Sequence, residues 1–263
     1  MPWIDTENWI LNYRTDGEHG PWVVLVHEMG ATLASWDAVA PLLARGNRVL
    51  RLDLPGAGLS EKLLRDVTFD DMANAVAGLL DALGIDEPAV ICGCSMGAAI
   101  VLAFAASHPD RTRGVVAMSP SVGTSPERRA ARMPALDRIL ADGMRSRPDD
   151  VARSYPPELA EADPEAFEQF RLSKLAHDPE SFRFLARMVM ECDLQSALAG
   201  IAAPVLGVAG ELDQVRPPQA TAEVIDSIPS SRTVVIRSGH YMPRQTPRLV
   251  AEAITGFLAE LNG

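Results

Sequence analysis

Short apolar runs alternate with longer amphipathic segments along most of the chain. The runs are dense in Val, Leu and Ile without regular polar positions, which is typical of parallel strands covered on both faces. Six strands are predicted, at residues 22–26, 48–52, 89–94, 114–118, 205–209 and 233–236. Helical patterns lie between them, at residues 69–83, 96–107, 217–228 and 246–261. The alternation predicts the α/β class, with a mostly parallel, doubly wound sheet and helices on both faces.

One stretch departs from this alternation. Between residues 121 and 199 the pattern is helical and is interrupted by seven prolines, namely Pro126, Pro134, Pro148, Pro156, Pro157, Pro164 and Pro179. No strand is predicted in this stretch, and strand–helix units resume after it. We therefore expect an α/β core at residues 1–120 and 201–263, with a helical cap inserted at residues 121–200.

Charge and composition limit the classes of partner that this chain is expected to bind. Acidic residues outnumber basic residues by 35 to 24, for a net charge of −11. Such a chain repels a phosphate backbone, and no apolar run reaches the ~20 residues that span a bilayer, so neither nucleic acid nor a membrane is expected as a partner. The amino-terminal residues lack the basic end and apolar stretch of a signal peptide, which predicts a cytoplasmic location.

Three cysteines are present, at Cys92, Cys94 and Cys192. Cys92 and Cys94 flank a glycine inside an apolar strand, a setting that suits small buried hydrophobic side chains. The odd number and the lack of a second Cys or His cluster argue against a zinc site, so we expect reduced, structural thiols.

The most informative motif lies at residues 93–97, where a buried strand meets a helix. Gly93, Ser95 and Gly97 form the pattern G-x-S-x-G in a strand–turn–helix context. The glycines allow a turn in which a Cβ would collide with neighbouring backbone. The turn exposes the Ser95 hydroxyl at a helix N-terminus, whose dipole favours developing negative charge. Ser95 is therefore the candidate nucleophile.

Two further residues complete a candidate triad in the chain order serine, acid, histidine. Residues 204–213 form a strand and a turn that ends at Asp213, and residues 233–240 form a strand and a turn that ends at His240. Both residues follow the carboxyl ends of strands, the edge at which open α/β sheets bind ligands. Glu211 is the alternative acid.

With these motifs in place, the chain resembles the α/β-hydrolase family over nearly its full length. The matching segments are VVLVH after Trp22, DLPGAGLS at 53–60, GCSMG at the nucleophile elbow, GELD at the acid loop and SGH at the histidine loop. The resemblance implies that residues 121–199 are the family's variable cap, inserted after the sixth strand. SWDAVAPLL, LLDALGI and CSMGAAIVLAFAASHPDR are most similar to the 3-oxoadipate enol-lactonases and related small-ester hydrolases. Some branches carry the acid one strand earlier, but residues 115–121 contain no Asp or Glu, which favours Asp213.

The resemblance also implies an oxyanion hole formed by the backbone N–H groups of Met29 and Met96. The family ends its third strand with a His-Gly pair, whereas here Glu28 follows His27. His27 is expected to fix the loop by hydrogen bonding and to have no catalytic or metal-binding role. A Glu tolerates positive φ poorly, so the loop is expected to run differently or to carry strain. Because a carboxylate opposes a nearby oxyanion, the Glu28 side chain is expected to point away and to be paired or solvated.

The resemblance implies a serine hydrolase that cleaves a small carboxylic ester or lactone through an acyl-enzyme. An enol-lactone bearing a carboxylate is one such substrate, and neither a cofactor nor a metal is required. Hydrolysis of a C–C bond, or of an amide or formamide, uses the same triad and stays open. A receptor that uses the pocket only for binding is the alternative that is not an enzyme.

Four side chains are predicted to lie in the substrate pocket, namely Trp36, Tyr241, Arg128 and Arg132. Arg129 and Arg138 of the same predicted cap segment are further candidates for pairing with a substrate anion. A solvated helix face is the alternative for each of these arginines. Met29 and Met96 are expected to add apolar lining.

Overall fold

The computed structural model describes residues 2–146 and 154–263. Pro148 and the rest of residues 147–153, which fall in the predicted cap, lie outside the described residues, as does Met1. Within the described part of the chain, no helix is both long and apolar enough to cross a bilayer. The cytoplasmic location stays a prediction.

One sheet organises the described residues, with its strands in the spatial order β1-β2-β4-β3-β5-β6-β7-β8. The strands are β1 (Trp3–Asp5), β2 (Ile10–Asp16), β3 (Trp22–Val26), β4 (Arg48–Leu52), β5 (Ala89–Cys94), β6 (Thr112–Met118), β7 (Val205–Gly210) and β8 (Ser231–Ile236). From β4 to β8 every neighbouring pair is parallel, while β1 and β2 pair antiparallel at one edge. The six predicted strands and the mostly parallel sheet are therefore confirmed.

The two antiparallel strands were not predicted from the sequence. β2 contains Asn12, Tyr13 and Arg14 in succession. These residues interrupt the continuous apolar run by which the inner strands were predicted. β1 has only three residues and is mostly exposed. Edge strands with one solvated face lack the continuous hydrophobicity of a strand that is buried on both sides.

Helices cover both faces of the sheet. They are α1 (Ala40–Leu43), α2 (Phe69–Ala82), α3 (Met96–Ser107), α4 (Pro126–Asp142), α5 (Pro157–Ala162), α6 (Pro164–Leu175), α7 (Pro179–Glu191), α8 (Gln195–Leu198), α9 (Pro218–Ile225), α10 (Met242–Gln245) and α11 (Pro247–Glu260), with short 3-10 turns at Leu33–Trp36, Pro109–Arg111 and Met144–Ser146. The four helices predicted from the sequence are α2, α3, α9 and α11. The ends of α3 match the prediction, and the other ends differ from it by three residues at most.

Alternate residues of β3 face two separate apolar clusters. Val24 and Val26 pack with α2 and α3, whereas Val23 and Leu25 pack with α1 and α11. Burial on both faces is the physical reason for the unbroken apolar runs in the sequence. All three cysteines are free and buried, as expected for reduced structural thiols.

Helices α4 to α8 lie between β6 and β7, where the sequence predicts a cap. α7 packs against α4, and its apolar face joins the cluster formed by α2 and α3. An isolated antiparallel bridge between Gly123 and Asp193 closes the base of this segment. The division of the chain into core and cap at residues 121 and 200 stays a prediction.

Helix α3 crosses the end of β3 at very short range because Gly97 lacks a side chain. A Cβ on Gly97 would lie 2.4 Å from the carbonyl oxygen of Val26 and 2.5 Å from that of His27. A Cβ on Gly93 would lie 2.3 Å from the carbonyl oxygen of Gly97. The two glycines therefore allow the start of α3 to lie directly against the loop that follows β3.

We expect Gly97→Ala to lower the free energy of unfolding by about 2–3 kcal/mol, since backbone must move to admit the methyl group. Gly78→Ala is a matched control, because Gly78 is also helical and a Cβ there would meet only the Thr6 side chain, at 3.7 Å or more. That control should gain up to about 1 kcal/mol from helix propensity. Urea unfolding of the two variants measures both values, and equal effects would contradict the close crossing.

Candidate active site

Ser95 lies at the tip of the turn between β5 and α3 in a conformation that is rare for a residue with a side chain. Its φ is 54° and its ψ is −112°. The backbone N–H of Ser95 donates to the carbonyl of Met118 at 2.8 Å, which anchors the turn to the neighbouring strand. A strained serine of this kind is held by its surroundings and often marks a functional site. The turn directs the hydroxyl toward a cavity.

The structure brings Ser95, His240 and Asp213 together as predicted from the sequence. The Ser95 Oγ lies 2.9 Å from the His240 Nε2, and the His240 Nδ1 lies 2.8 Å from the Asp213 Oδ2. His240 and Asp213 are both buried. With the proton on Nδ1, the imidazole donates to the carboxylate and presents Nε2 as an acceptor for the serine hydroxyl.

Asp213 accepts hydrogen bonds on both of its carboxylate oxygens. Oδ1 accepts from the N–H groups of Val215 and Arg216, each at 2.8 Å, and Oδ2 accepts from the Ser119 hydroxyl at 2.8 Å in addition to His240. Burial opposes ionisation, but the hydrogen bonds, led by that from His240, outweigh it and hold the pKa of Asp213 below its usual value. This carboxylate is therefore charged and fixed in orientation. Glu211, the alternative acid, is exposed.

Ser119 is a residue of the site that was not identified from the sequence. It lies just after β6, within residues 115–121, where some branches of the family carry the acid. Its φ is 45°. Its hydroxyl donates a hydrogen bond to Asp213, so Ser119 helps to hold the candidate acid in place. A serine in a loop carries no sequence signal for such a role, so only the packing of β6 beside β7 reveals it.

Met29 and Met96 border the same cavity as Ser95 and His240. Met96 is the first residue of α3, where a backbone N–H has no acceptor within its own helix. Both residues thus border the cavity that the Ser95 hydroxyl faces, and their role as oxyanion donors stays a prediction.

His27 uses both of its ring nitrogens to hold backbone. Nδ1 donates to the carbonyl of Glu28 at 2.8 Å, and Nε2 accepts from the N–H of Leu54 at 3.1 Å. Burial lowers the pKa of His27, which favours the neutral ring that this pattern requires. The predicted role of His27 in fixing the loop is the one that its contacts support.

Glu28 does not have a positive φ, although it takes the place of the glycine in the family's His-Gly pair. The left-handed position of this loop is Gly30, with a φ of 64°. The Glu28 side chain is fully buried, accepts from the Ser35 hydroxyl at 3.0 Å and lies 3.8 Å from the Lys174 ammonium. It is therefore paired, as one branch of the expectation held, and it is not solvated.

A cavity of about 560 Å³ opens above Ser95. Its lining includes three of the four predicted pocket residues, namely Arg128, Arg132 and Tyr241. The prediction for Trp36 was wrong, because Trp36 is fully buried in the apolar cluster that contains Val23 and Leu25 and does not line the cavity. The apolar surface that Trp36 buries there explains its place in the core. Of the other two candidates, Arg129 donates to the carbonyl of Met190 at 3.0 Å, and neither Arg129 nor Arg138 is among the lining residues.

Arg216 lines the cavity and was not predicted from the sequence as a pocket residue. It follows the acid by three residues, donates weakly to the Ser121 hydroxyl at 3.4 Å, and is partly buried. Burial and the nearby charge of Arg128 lower its pKa, although the group stays cationic at neutral pH. Its position in a turn beside Asp213 was the available sequence signal.

Comparison with known proteins agrees with this fold. Residues 21–179 match the family model described as alpha/beta hydrolase fold. The chain is 32% identical to a 2-hydroxy-6-oxononadienedioate/2-hydroxy-6-oxononatrienedioate hydrolase of Pseudomonas putida, over 88% of this chain and 85% of that protein.

Two solved structures are similar over almost their whole length. The enol-lactonase from Burkholderia xenovorans LB400 superposes with a TM-score of 0.89 at 28% identity and covers 99% of both chains. A thermophilic esterase from Thermogutta terrifontis superposes with a TM-score of 0.91 at 28% identity, over 100% of this chain and 99% of that one. The predicted fold, and the similarity to a family that includes an enol-lactonase, are confirmed.

We expect Asp213→Asn to lower kcat for p-nitrophenyl acetate by about 10⁴-fold, since the amide cannot hold the required tautomer of His240. Glu211→Gln is the matched control and should keep wild-type kcat, because Glu211 is exposed two residues away. Purified variants are compared by initial rates. A loss confined to Glu211→Gln would move the acid to that residue.

Proposed function

Since this chain belongs to the alpha/beta hydrolase family, we propose that it is a serine hydrolase that cleaves a small carboxylic ester or lactone. The observation that carries the proposal is the hydrogen-bonded chain from Ser95 through His240 to Asp213. The Ser95 end of this chain faces an open cavity. Such a chain activates a hydroxyl that is otherwise a poor nucleophile.

In the proposed reaction the Ser95 Oγ attacks the substrate carbonyl while the His240 Nε2 takes the hydroxyl proton. The charged Asp213 stabilises the imidazolium that forms. The N–H groups of Met29 and Met96 receive the oxyanion, and each donor of this kind contributes about 10²–10³ in rate. His240 then protonates the leaving group and activates a water molecule that releases the acid. No cofactor or metal takes part.

The charge of the cavity lining favours a substrate with an anionic group. Arg128, Arg132 and Arg216 line the cavity, and no Asp or Glu is found among the lining residues that the structure describes. Arginine binds carboxylates through charge-assisted, often bidentate hydrogen bonds. The relatives support this choice, since the P. putida hydrolase is named for a dienedioate and the Thermogutta esterase was solved with malate bound. We therefore propose a carboxylate-bearing ester or lactone.

Hydrolysis of a C–C bond is the second candidate, because the P. putida relative acts on a 2-hydroxy-6-oxo dienedioate. The same triad would act on a vinylogous ketone in place of an ester. Amide hydrolysis and a receptor role use the same cavity. Covalent labelling of Ser95, together with multiple turnovers by the unlabelled protein, would exclude a receptor. The segment at residues 121–200 acts in this proposal as a cap, since it supplies Arg128 and Arg132 to the cavity wall.

The first experiment compares kcat/KM for 3-oxoadipate enol-lactone, an uncharged p-nitrophenyl ester and a 2-hydroxy-6-oxo dienoate. We expect turnover of the lactone to exceed that of the uncharged ester, and Ser95→Ala to abolish both. Preference for the dienoate would select C–C hydrolysis. Activity that persists in Ser95→Ala would overturn the serine mechanism.

Arg216→Gln tests the anionic group of the substrate. Because a hydrogen bond to a charged group contributes about 1.5–3 kcal/mol, kcat/KM for a carboxylate-bearing ester should fall by about 10- to 100-fold. The uncharged methyl-ester analogue should be unaffected. Arg237→Gln is the control, since Arg237 is exposed and pairs with Glu158 at 2.8 Å. Equal losses for the two substrates would show that Arg216 does not read the anion.

A further inference from the structure

Lys174 is a buried lysine in a chain whose basic residues are almost all arginines. Only two of the 24 basic residues are lysines, Lys62 and Lys174. Lys62 is exposed and donates to the carbonyl of Gly58 at 2.7 Å, whereas Lys174 is 7% exposed. Lysine is suited to a small enclosed site because its ammonium is compact and carries three donors. The reaction proposed above does not use this residue.

The Lys174 ammonium lies in a cage of four groups. It donates to the carbonyl of Met29 at 3.0 Å and lies 3.8 Å from the Glu28 carboxylate. It also lies 4.1 Å from the centre of the Tyr241 ring and 5.1 Å from that of Phe170. A cation over an aromatic face is attracted most strongly when it is desolvated, as it is here.

This cage joins the two sides of the candidate active site. Met29 belongs to the loop after β3 that carries a predicted oxyanion donor, and Tyr241 follows His240 directly. The His240 and Tyr241 rings contact edge to face, with centroids 5.1 Å apart. The Lys174 stem packs against this loop too, since a Cβ on Gly30 would lie 3.5 Å from its Cδ. One side chain from α6 thus contacts both sides.

We propose that Lys174 is a positioning residue that holds the Met29 loop and Tyr241 in their active arrangement. Glu28 is its counterion, which gives the departure from the family's His-Gly pair a purpose in this chain. Loss of the ammonium would leave the Glu28 carboxylate buried without its main partner, and the loop would shift away from Ser95. This inference rests on the proposed function, because its catalytic effect acts through the oxyanion donor.

The charge of Lys174 changes within the working range of such an enzyme. Burial lowers the pKa of Lys174 to about 8, although the Glu28 carboxylate opposes that shift. The titratable and charged groups that face it are Tyr241 of the cage, Glu28 and His27 after β3, Cys94 at the end of β5, His177 after α6, and Arg244 in α10.

Of these groups, Lys174 is the one expected to titrate near pH 8. Burial lowers the pKa of His177 to about 3 and also lowers that of His27, so both rings are neutral. Burial raises the pKa of the Cys94 thiol well above its usual value. Burial opposes the charge on Glu28, but Lys174 and Arg244 outweigh it and keep the pKa of Glu28 low. Above pH 8 the active site should therefore lose the ammonium and with it the loop geometry.

The direct test follows the Met29 backbone N–H by NMR and needs no substrate. Protein labelled with ¹⁵N-methionine gives at most 10 amide signals, and Met29→Leu identifies the one from Met29. We expect this signal to titrate with a midpoint near pH 8. In Glu28→Gln the midpoint should fall by about one to three pH units, since the carboxylate no longer favours the ammonium. In Lys174→Met the titration should be absent.

Lysine labelled with ¹³C at Cε shows which group causes the change. The two lysines give two signals, and Lys62→Met assigns them. The Lys174 signal should share the Met29 midpoint in the wild type and move with it in Glu28→Gln. A Met29 signal that does not titrate with Lys174 would overturn the proposal, whatever the enzyme's activity.

Kinetics with uncharged p-nitrophenyl acetate test the consequence for catalysis. We expect kcat of the wild type to fall above pH 8, and this limb to shift to lower pH in Glu28→Gln. Lys174→Met should lose the limb and lower kcat by about 10- to 100-fold, with KM changed little. This loss is smaller than the roughly 10²–10³ that follows removal of an oxyanion donor, because the donor is displaced and not removed. Lys62→Met is the control and should keep both the rate and the profile.

The double variant Glu28→Gln/Lys174→Met separates positioning from folding, because it removes both buried charges and leaves neither unpaired. It should unfold at a urea concentration close to that of the wild type and remain as slow as Lys174→Met. Wild-type kcat in this folded variant would refute the positioning role. Such a result, together with full loss in Ser95→Ala, would leave the serine hydrolase proposal standing.

Discussion

The structure depends on the close contact between the start of α3 and the end of β3. With no Cβ at Gly93 or Gly97, backbone passes backbone at distances that a side chain would block. The contact forces Ser95 into its positive φ and places Met96 next to the loop that contains Met29. The candidate nucleophile and both predicted oxyanion donors therefore come from a single backbone crossing, and sheet order adds the candidate acid after β7 and the candidate base after β8.

Buried charges around this crossing are each neutralised in a different way. Asp213 has backbone N–H groups, a hydroxyl and an imidazole as donors, so its charge is stabilised by hydrogen bonds within the core. Glu28 has Ser35 and, at longer range, Lys174, which comes from a helix of the inserted segment. The candidate acid is thus held by the strand loops alone, whereas the loop that carries the predicted oxyanion donor Met29 is held partly by α6.

The cavity differs in charge from the chain as a whole. The chain carries a net charge of −11, whereas three arginines line the space above Ser95. Long-range repulsion of an anion is screened within about 8–10 Å at physiological salt, so the local arginines decide binding at contact range. The inserted segment contributes Arg128 and Arg132 to this cavity and a contact from Lys174 to the Met29 loop. It therefore bears on both substrate choice and reactivity in the function proposed above.

Local patterns in the sequence determined the six inner strands, the elbow at Ser95 and the order of Asp213 and His240. Those features depend on short-range constraints, namely double-sided burial, glycine at a tight turn and polar residues after strand ends. The tertiary structure alone decided the rest. β1 and β2 lack an apolar signature, Trp36 is buried in the core and not in the cavity wall, and Ser119 lies 94 residues from the carboxylate that it supports. Lys174 meets Met29 across 145 residues, and contacts of this kind follow from how the sheet and the inserted helices pack, which no local pattern encodes.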